Sequence, residues 1–506
     1  QNEKNLNTAQ KIAKESTISF IGIFYGSINR YLYSALLARW VGPEYLGIYS
    51  MANAIMLIGE VLSKMGMETG TMRFISRLDP KKDQKEISRI IASAMKMCFV
   101  VSLIVATALI ASSSFIVYNI LSEKTLMINV LIVFAIALPF NAMTLIGASA
   151  TQGYKKLKYK AFVTQFVNPT ILLFSMIICF SLFSAESALM YPILVTGILG
   201  FYVMLRPIKS LSSMRALDIL KGKKNYELLK YSYPFMFVII LQTFMHWMDI
   251  LMLGYFTNAE TVGLYHPAAR TAGLLQSLLM SFISIYAPMI SQFHSEQNLN
   301  KMNEAYKLVS RWLLVFSIPV SVVFVTFPGN ILALFGQEYT ASSSVLIILT
   351  VATLIQAIFG AASPTLGMAG FPKIVLINTA IAFSMNFALN VFLIPKFGVE
   401  GAAFATLSTL SIIGCVRALQ VRMILKMNFL SFKMIKPVIS GILTYVLLTK
   451  IKPLMLDFSF LVELFIALLS CGLFYLLLLW LLGIDDEDKN FITGLGIIKK
   501  GFGKKK

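Results

Sequence analysis

Charged residues are scarce in this 506-residue chain: 13% of it is Asp, Glu, Lys or Arg, against 57% hydrophobic residues. Mean hydropathy is +0.75. Soluble domains carry about 25% charged and about 45–50% apolar residues, so a soluble fold is excluded. Cysteine is also rare. Cys98, Cys179, Cys415 and Cys471 fall singly inside apolar runs, without metal-like or disulfide-like spacing, and read as small core hydrophobes. There is no P-loop, glycine-rich nucleotide fingerprint, metal-spaced His/Cys set or nucleophile elbow. The reading is therefore of a non-enzyme with no cofactor and no bound metal, and direct ATP use is not expected. Gln1–Glu15 is polar and the first apolar run already has spanning length, so no cleavable signal peptide is expected.

What the chain has instead is a succession of apolar runs, each long enough to cross a ~30 Å hydrocarbon core as helix. Backbone groups in lipid must be satisfied internally, which leaves helices or a closed barrel. The runs are too long and too uniformly apolar for barrel strands. We read an all-α integral membrane protein with fourteen transmembrane helices. The formal charge of +20 sits in short loops, at Arg73–Arg89, Lys155–Lys160 and Arg206–Lys230. The alternate loops, Phe183–Ser187, Thr257–Thr261 and Gly336–Ala341, have almost no basic residues. This is the positive-inside pattern of a multi-pass cell-membrane protein with both termini cytoplasmic, and it argues against a nucleic-acid partner.

The chain repeats. Leu36–Met51 reads LLARWVGPEYLGIYSM and Met252–Pro267 reads MLGYFTNAETVGLYHP, so that Glu44, Gly47 and Tyr49 match Glu260, Gly263 and Tyr265 at an offset of 216. Lys14-Glu15-Ser16 matches Lys230-Tyr231-Ser232, and Gln152-Gly153-Tyr154 matches Ala369-Gly370-Phe371. Phe183–Ala188 matches Phe397–Ala402. The expected organisation is a six-helix bundle in residues 1–207, a basic linker in 208–227 and a second six-helix bundle in 228–425. Helices 13 and 14 follow in 426–484, then a basic tail in 485–506. Six is even, so the bundles are parallel repeats, a transporter architecture with the substrate held between the halves near the midplane. The two motif copies read as outer corners of the bundles, with Glu44 and Glu260 favouring helix N-termini.

An ionisable residue inside a span costs about 2.5–3.5 kcal/mol to insert and is a functional candidate by default. Arg30 lies ten residues from Trp40 in the first span, about 15 Å deep. Its repeat counterpart is His246, with Asp249 one turn further on. Arg270 follows Pro267 in span 8, opposite Ala54 in the repeat. Arginine forks match phosphate oxygens, which points to an anion site. The competing reading is a structural ion pair with Asp249, and His246 equally suits a satisfied interior position. Glu60 is spaced to pair with Lys64, and Lys64 with Glu68; the latter pair reads as structural, whereas Glu60 suits a structural pairing and a place lining the cavity equally. Arg30, Arg270, His246, Asp249 and Glu60 are the candidate substrate-binding residues. Asn168-Pro169 and Asn386 are expected to shape kinks or helix contacts.

The stretch LLARWVGPEYLGIYSMA resembles a signature of the polysaccharide-biosynthesis flippases in the multidrug/oligosaccharidyl-lipid/polysaccharide superfamily. Leu37, Ala38, Arg39, Gly42, Pro43, Glu44, Gly47 and Tyr49 match it. The resemblance implies two six-helix bundles in a V that alternates between inward-open and outward-open states. It implies a polyprenyl-(di)phosphate-linked sugar as substrate, moved to the outer leaflet, with Arg30 and Arg270 suited to hold the phosphate. Membrane lipids and glycan-assembly enzymes are the partners it implies, for a monomeric transporter. A cation-coupled multidrug antiporter of the same superfamily stays open through Glu60 and Asp249. A membrane-embedded glycosyltransferase fits poorly, because the outer loops are only a few residues long.

Overall fold

The structure, a computed structural model, describes residues 2–79, 82–121, 123–212, 219, 222, 225–455 and 458–483; for residues 2–20 and 285 it describes the backbone alone. Most of the expected linker between 213 and 224, and the whole expected tail 485–506, lie outside the described residues. The helices are α1 (Asn2–Lys64), α2 (Met67–Ser76), α3 (Gln84–Phe115), α4 (Thr125–Gly153), α5 (Asn168–Leu182) and α6 (Ala185–Leu211), followed by α7 (Tyr226–Phe256) and α8 (Ala259–Ser295). Then come α9 (Leu299–Thr326), α10 (Ser343–Phe359), α11 (Pro372–Leu425), α12 (Ile435–Ile451) and α13 (Phe460–Leu481).

Twelve continuous helical segments among the described residues are long and apolar enough to cross a bilayer, and two of them are folded in half. A straight helix over Ile21–Lys64 would run about 66 Å, twice the hydrocarbon thickness. Gly42 breaks it, with φ 79° and ψ 176°, and Pro43 follows without an N–H. The two arms of α1 return alongside each other: the Tyr33 and Tyr49 rings lie 5.7 Å apart. In α11 the break is Gly398, at φ 55° and ψ −128°. Asn378 and Gln420, on opposite arms of α11, exchange hydrogen bonds of 2.6 and 3.1 Å. Twelve segments with two doubled make the fourteen crossings expected. Pro169 leaves its mark as well, since a π-helical stretch, Phe162–Val167, runs up to α5 just before the proline.

The apolar core is asymmetric from one face of the membrane to the other. At the face carrying Gly42 and Gly398, which we term the motif face, one cluster joins Leu37, Leu46 and Met51 of the first half to Leu253, Val262 and Tyr265 of the second. At the opposite, basic face the core splits into one cluster around Ile91, Met95 and Ile146 and another around Tyr286, Tyr306 and Leu366. The halves thus share one core at the motif face, while at the basic face the start of α7 packs on the first half, with Leu228 in the cluster around Ile91.

The junction at the motif face depends on glycine. A Cβ on Gly47 would collide with the Ala259 carbonyl, and one on Gly263 with the Pro43 carbonyl. Pro43 and Ala259 are themselves repeat counterparts, so the two motif copies cross each other about a local two-fold axis. Overpacking at such a crossing costs about 1–3 kcal/mol. Gly263→Val is therefore expected to part the halves at the motif face. In a cysteine-free background, nitroxide labels at the exposed, symmetry-related Arg39 and Tyr255 would then report a longer distance by pulsed EPR. An unchanged distance contradicts the crossing.

Candidate functional site

Two antiparallel seams join the halves. Along the first, the arm of α1 before Gly42 runs beside α8. Ser34 Oγ lies 3.0 Å from His266 Nε2, Tyr31 Oη 3.3 Å from Thr271 Oγ1, and Ser27 Oγ donates to Ser277 Oγ at 3.4 Å. Along the second, the arm of α1 after Gly42 runs beside α7. It is tight where Met51 fills the space left by Gly254 and again where Gly66 and Gly70 meet Ser232. Beyond that lower contact the Arg73 guanidinium covers the Tyr231 ring at 4.3 Å. The seams are exchanged by the 216-residue repeat.

Arg30 and Arg270 occupy the middle of the first seam, one from each half. Arg30 Nη2 donates to Gln165 Oε1 at 3.1 Å, a neutral partner. Gly26 makes room for it, since a Cβ there would lie 2.7 Å from the same oxygen. Arg270 makes no hydrogen bond or ion pair among the described residues. Its charge lies within reach of Arg30 and of the hydroxyls of Tyr33 and Tyr49. The two cations therefore lie within electrostatic reach of each other, and among the described residues neither forms an ion pair, to Asp249 or to any other carboxylate. Asp249 stays inside the second half, where its carboxylate accepts from Tyr265 Oη (2.9 Å), Thr406 Oγ1 (2.6 Å) and Asn390 Nδ2 (2.8 Å). Asn386 belongs to the same group, bonded to Asn390 and Thr406 across the arms of α11.

Glu60 and His246 come together on the second seam. They share the wall of a cavity of about 310 Å³ with Gln242 and Trp247. Glu60 and Glu68 both bond Lys64, at 3.0 and 3.1 Å. Of the five candidates, then, Arg30 and Arg270 form one cluster, Glu60 and His246 a second, and Asp249 stands apart. His266 is an interface residue that sequence reasoning passed over. It is buried, bonds Ser34 with Nε2 and Ser50 Oγ with Nδ1 (2.8 Å), and so ties both arms of α1 to the other half. The signal was present in the repeat, where His266 is the counterpart of Ser50. Glu260 lies in the first turn of α8 and Glu44 just after the Gly42 break, as expected for carboxylates at helix N-termini, but neither is the capping side chain. Asn258 caps α8 by accepting from the Thr261 N–H, and Glu44 pairs with Lys124.

The polysaccharide biosynthesis protein family matches residues 12–294, more than half of the chain. This protein belongs to that family. The MatE family also matches residues 234–392, as a common superfamily would require. Among individual relatives, a probable flippase, AglR, from Haloferax volcanii is 35% identical over 34% of this chain and 37% of its own length. A probable low-salt glycan biosynthesis flippase, Agl15, from the same organism is 30% identical over 32% and 35%. The chain thus spans only about a third of the length of these curated relatives. Among solved structures, lipid II flippase MurJ in an inward closed conformation aligns with a TM-score of 0.69 at 16% identity, over 95% of this chain and 99% of that one. An inward-facing multidrug resistance MATE family transporter aligns with a TM-score of 0.64 at 14% identity, over 81% and 98%. At these identities the likeness establishes the fold.

Within this family member, the motif-face closure has a titratable element outside the spans. Glu123 Oε1 accepts the N–H of Ala259 at 2.5 Å, from the first half to the second. Burial lifts the Glu123 carboxyl above its ordinary 4.5, opposed by the Ala259 N–H and reinforced by Glu44, with Lys124 opposing it as well. In an opened state that carboxyl is solvated and holds its proton less tightly. The closed state accordingly gains as pH falls through the raised value and loses as pH rises through it. The Arg39–Tyr255 label distance is expected to lengthen as pH is raised from 4.5, and Glu123→Gln to flatten the response. A parent protein without pH response contradicts this.

Proposed function

We propose that this protein carries a lipid-linked sugar across the membrane, binding its phosphate or diphosphate between Arg30 and Arg270. The observation that carries the reading is the uncompensated pair: two arginines, one from each half, Arg30 bonded to a neutral amide and Arg270 without a hydrogen-bond partner among the described residues. An isolated charge deep in a span costs about 2.5–3.5 kcal/mol, and two like charges side by side add to it. A phosphate between them removes both penalties and supplies acceptors for the guanidinium forks. The family membership and the flippase names of the relatives support the same assignment.

In this reading the basic loops place the motif face outward and both termini in the cytoplasm of a cell-membrane protein. The head group enters from the cytoplasmic side while the motif face is sealed. Its lipid tail stays in the bilayer, so only the charged, hydrated part needs a polar path. Neutralising the arginines lowers the cost of bringing the halves together on the cytoplasmic side. The seal at Gly47, Gly263 and His266 then opens, and the ligand shifts the balance between two states of similar energy.

A hydrogen bond to a charged group contributes about 1.5–3 kcal/mol, equivalent to about 10- to 100-fold. In proteoliposomes holding a fluorescent polyprenyl-phosphate-linked sugar, Arg30→Ala and Arg270→Ala are each expected to slow transfer between leaflets by that factor, with no loss of thermal stability. Full transfer rates in both variants overturn the assignment. One observation favours a second reading, ion-coupled drug export: the Asp249 carboxylate sits apart from the arginines among Asn386, Asn390 and Thr406. Under that reading Asp249→Asn abolishes export of cationic drugs, whereas the flippase reading expects no drug export by the parent.

A further inference from the structure

The cavity on the second seam lies between two close contacts, Met51 against Gly254 and Gly66 and Gly70 against Ser232, and is an open cleft rather than an enclosed chamber. Its volume, about 310 Å³, lies at the small end of the ~300–1,000 Å³ of ligand pockets. Its polar lining is accessible from the cleft, with Gln242 and His246 exposed, and much of it has no partner among the described residues. Glu60 is only 7% exposed. One of its oxygens takes the Lys64 ammonium, and the other makes no hydrogen bond among the described residues. Gln242, Thr243 and His246 line the same space without any hydrogen bond among the described residues, and Trp247 supplies an aromatic wall.

Those groups define a ligand by elimination. An apolar occupant would leave an amide, a hydroxyl, an imidazole and a carboxylate oxygen unpaired, each at a cost of about 1–3 kcal/mol. An anion would be pressed against Glu60, whose ammonium partner is already shared with Glu68. A bare cation would meet one carboxylate with Lys64 beside it. A ring carrying several hydroxyls satisfies the set: it donates to Glu60, exchanges bonds with Gln242 and Thr243, and lays its C–H face on Trp247. Position agrees. His246, in the wall of the cavity, is within electrostatic reach of Arg270.

Resting on the phosphate site argued above, we propose that this cavity is the subsite for the sugar ring attached directly to the phosphate. It takes an uncharged, hydroxyl-rich ring and rejects a uronate through Glu60. Glu60 is a specificity-determining residue in this account, while Arg30 and Arg270 bind what every substrate shares.

The test uses the full chain in nanodiscs and three probes with one polyprenyl chain: the bare phosphate, the phosphate bearing a hexose, and the phosphate bearing a hexuronate. The wild type is expected to bind the hexose probe about tenfold or more tightly than the hexuronate probe, as like-charge exclusion predicts. Glu60→Gln should reduce that preference to about threefold or less; Lys64 keeps Glu68, so the helix retains an ion pair. Gln242→Ala should shrink the affinity that the hexose adds to the bare phosphate. Equal affinity of the wild type for the two sugars, or full discrimination surviving in Glu60→Gln, overturns the subsite. Bare-phosphate binding that survives Arg30→Ala and Arg270→Ala overturns the phosphate site instead, which keeps the two failures distinct.

Discussion

Two like charges held side by side in a membrane interior, without a counter-ion, are the constraint around which the structure is arranged. Protein interiors neutralise buried charge wherever they can, because unpaired ions lose more solvation than they regain. Carboxylates are near at hand: Asp249 and Glu60 lie on helices that pack along the same interface. Each is occupied elsewhere. Asp249 is held by a phenol, a hydroxyl and an amide within the second half, and Glu60 by Lys64. The arginines are left for something that arrives from outside.

The repeat explains how that arrangement can move. Two seams exchanged by one two-fold operation hold the halves, and each is a row of close contacts between helices with small residues at the crossings. Symmetry makes the scaffold, and departures from symmetry make the site. The first seam carries Arg30 and Arg270; at the matching positions of the second are His246 and Ala54. The cavity walled by Glu60, Gln242 and His246 lies on that second seam. One operation on one six-helix unit thus yields a cationic pocket and a hydroxyl-binding pocket next to each other, the polarity of a sugar phosphate.

Much of the scaffold was legible in the sequence. Fourteen crossings followed from apolar run lengths, and the reversals at Gly42 and Gly398 lie where glycine interrupts a long apolar stretch. The bundle equivalence followed from the 216-residue offset. Contacts across the interface did not. A repeat shows that Gly47 and Gly263 do the same work, yet it cannot show that they do it against each other's helices, at Ala259 and Pro43. The cage of Asp249 needs α11, whose Asn390 is 141 residues away in the chain. His266 was overlooked because one imidazole in an apolar helix looks like any satisfied core residue; its role appears only when Ser34 and Ser50 arrive from the other half. Residue type and depth mark a charge as expensive, and only packing shows which charges are left unpaired.

The account turns on Arg270 being an uncompensated charge rather than half of a structural ion pair, and thermal unfolding of purified protein separates these. The measurement is the unfolding temperature of Arg270→Gln against the parent, each with and without a short-chain polyprenyl phosphate. The account predicts that the substitution raises the ligand-free unfolding temperature, because repulsion from Arg30 is relieved, and removes the stabilisation that the ligand gives the parent. A lower ligand-free unfolding temperature, with the ligand-induced rise intact, would contradict it.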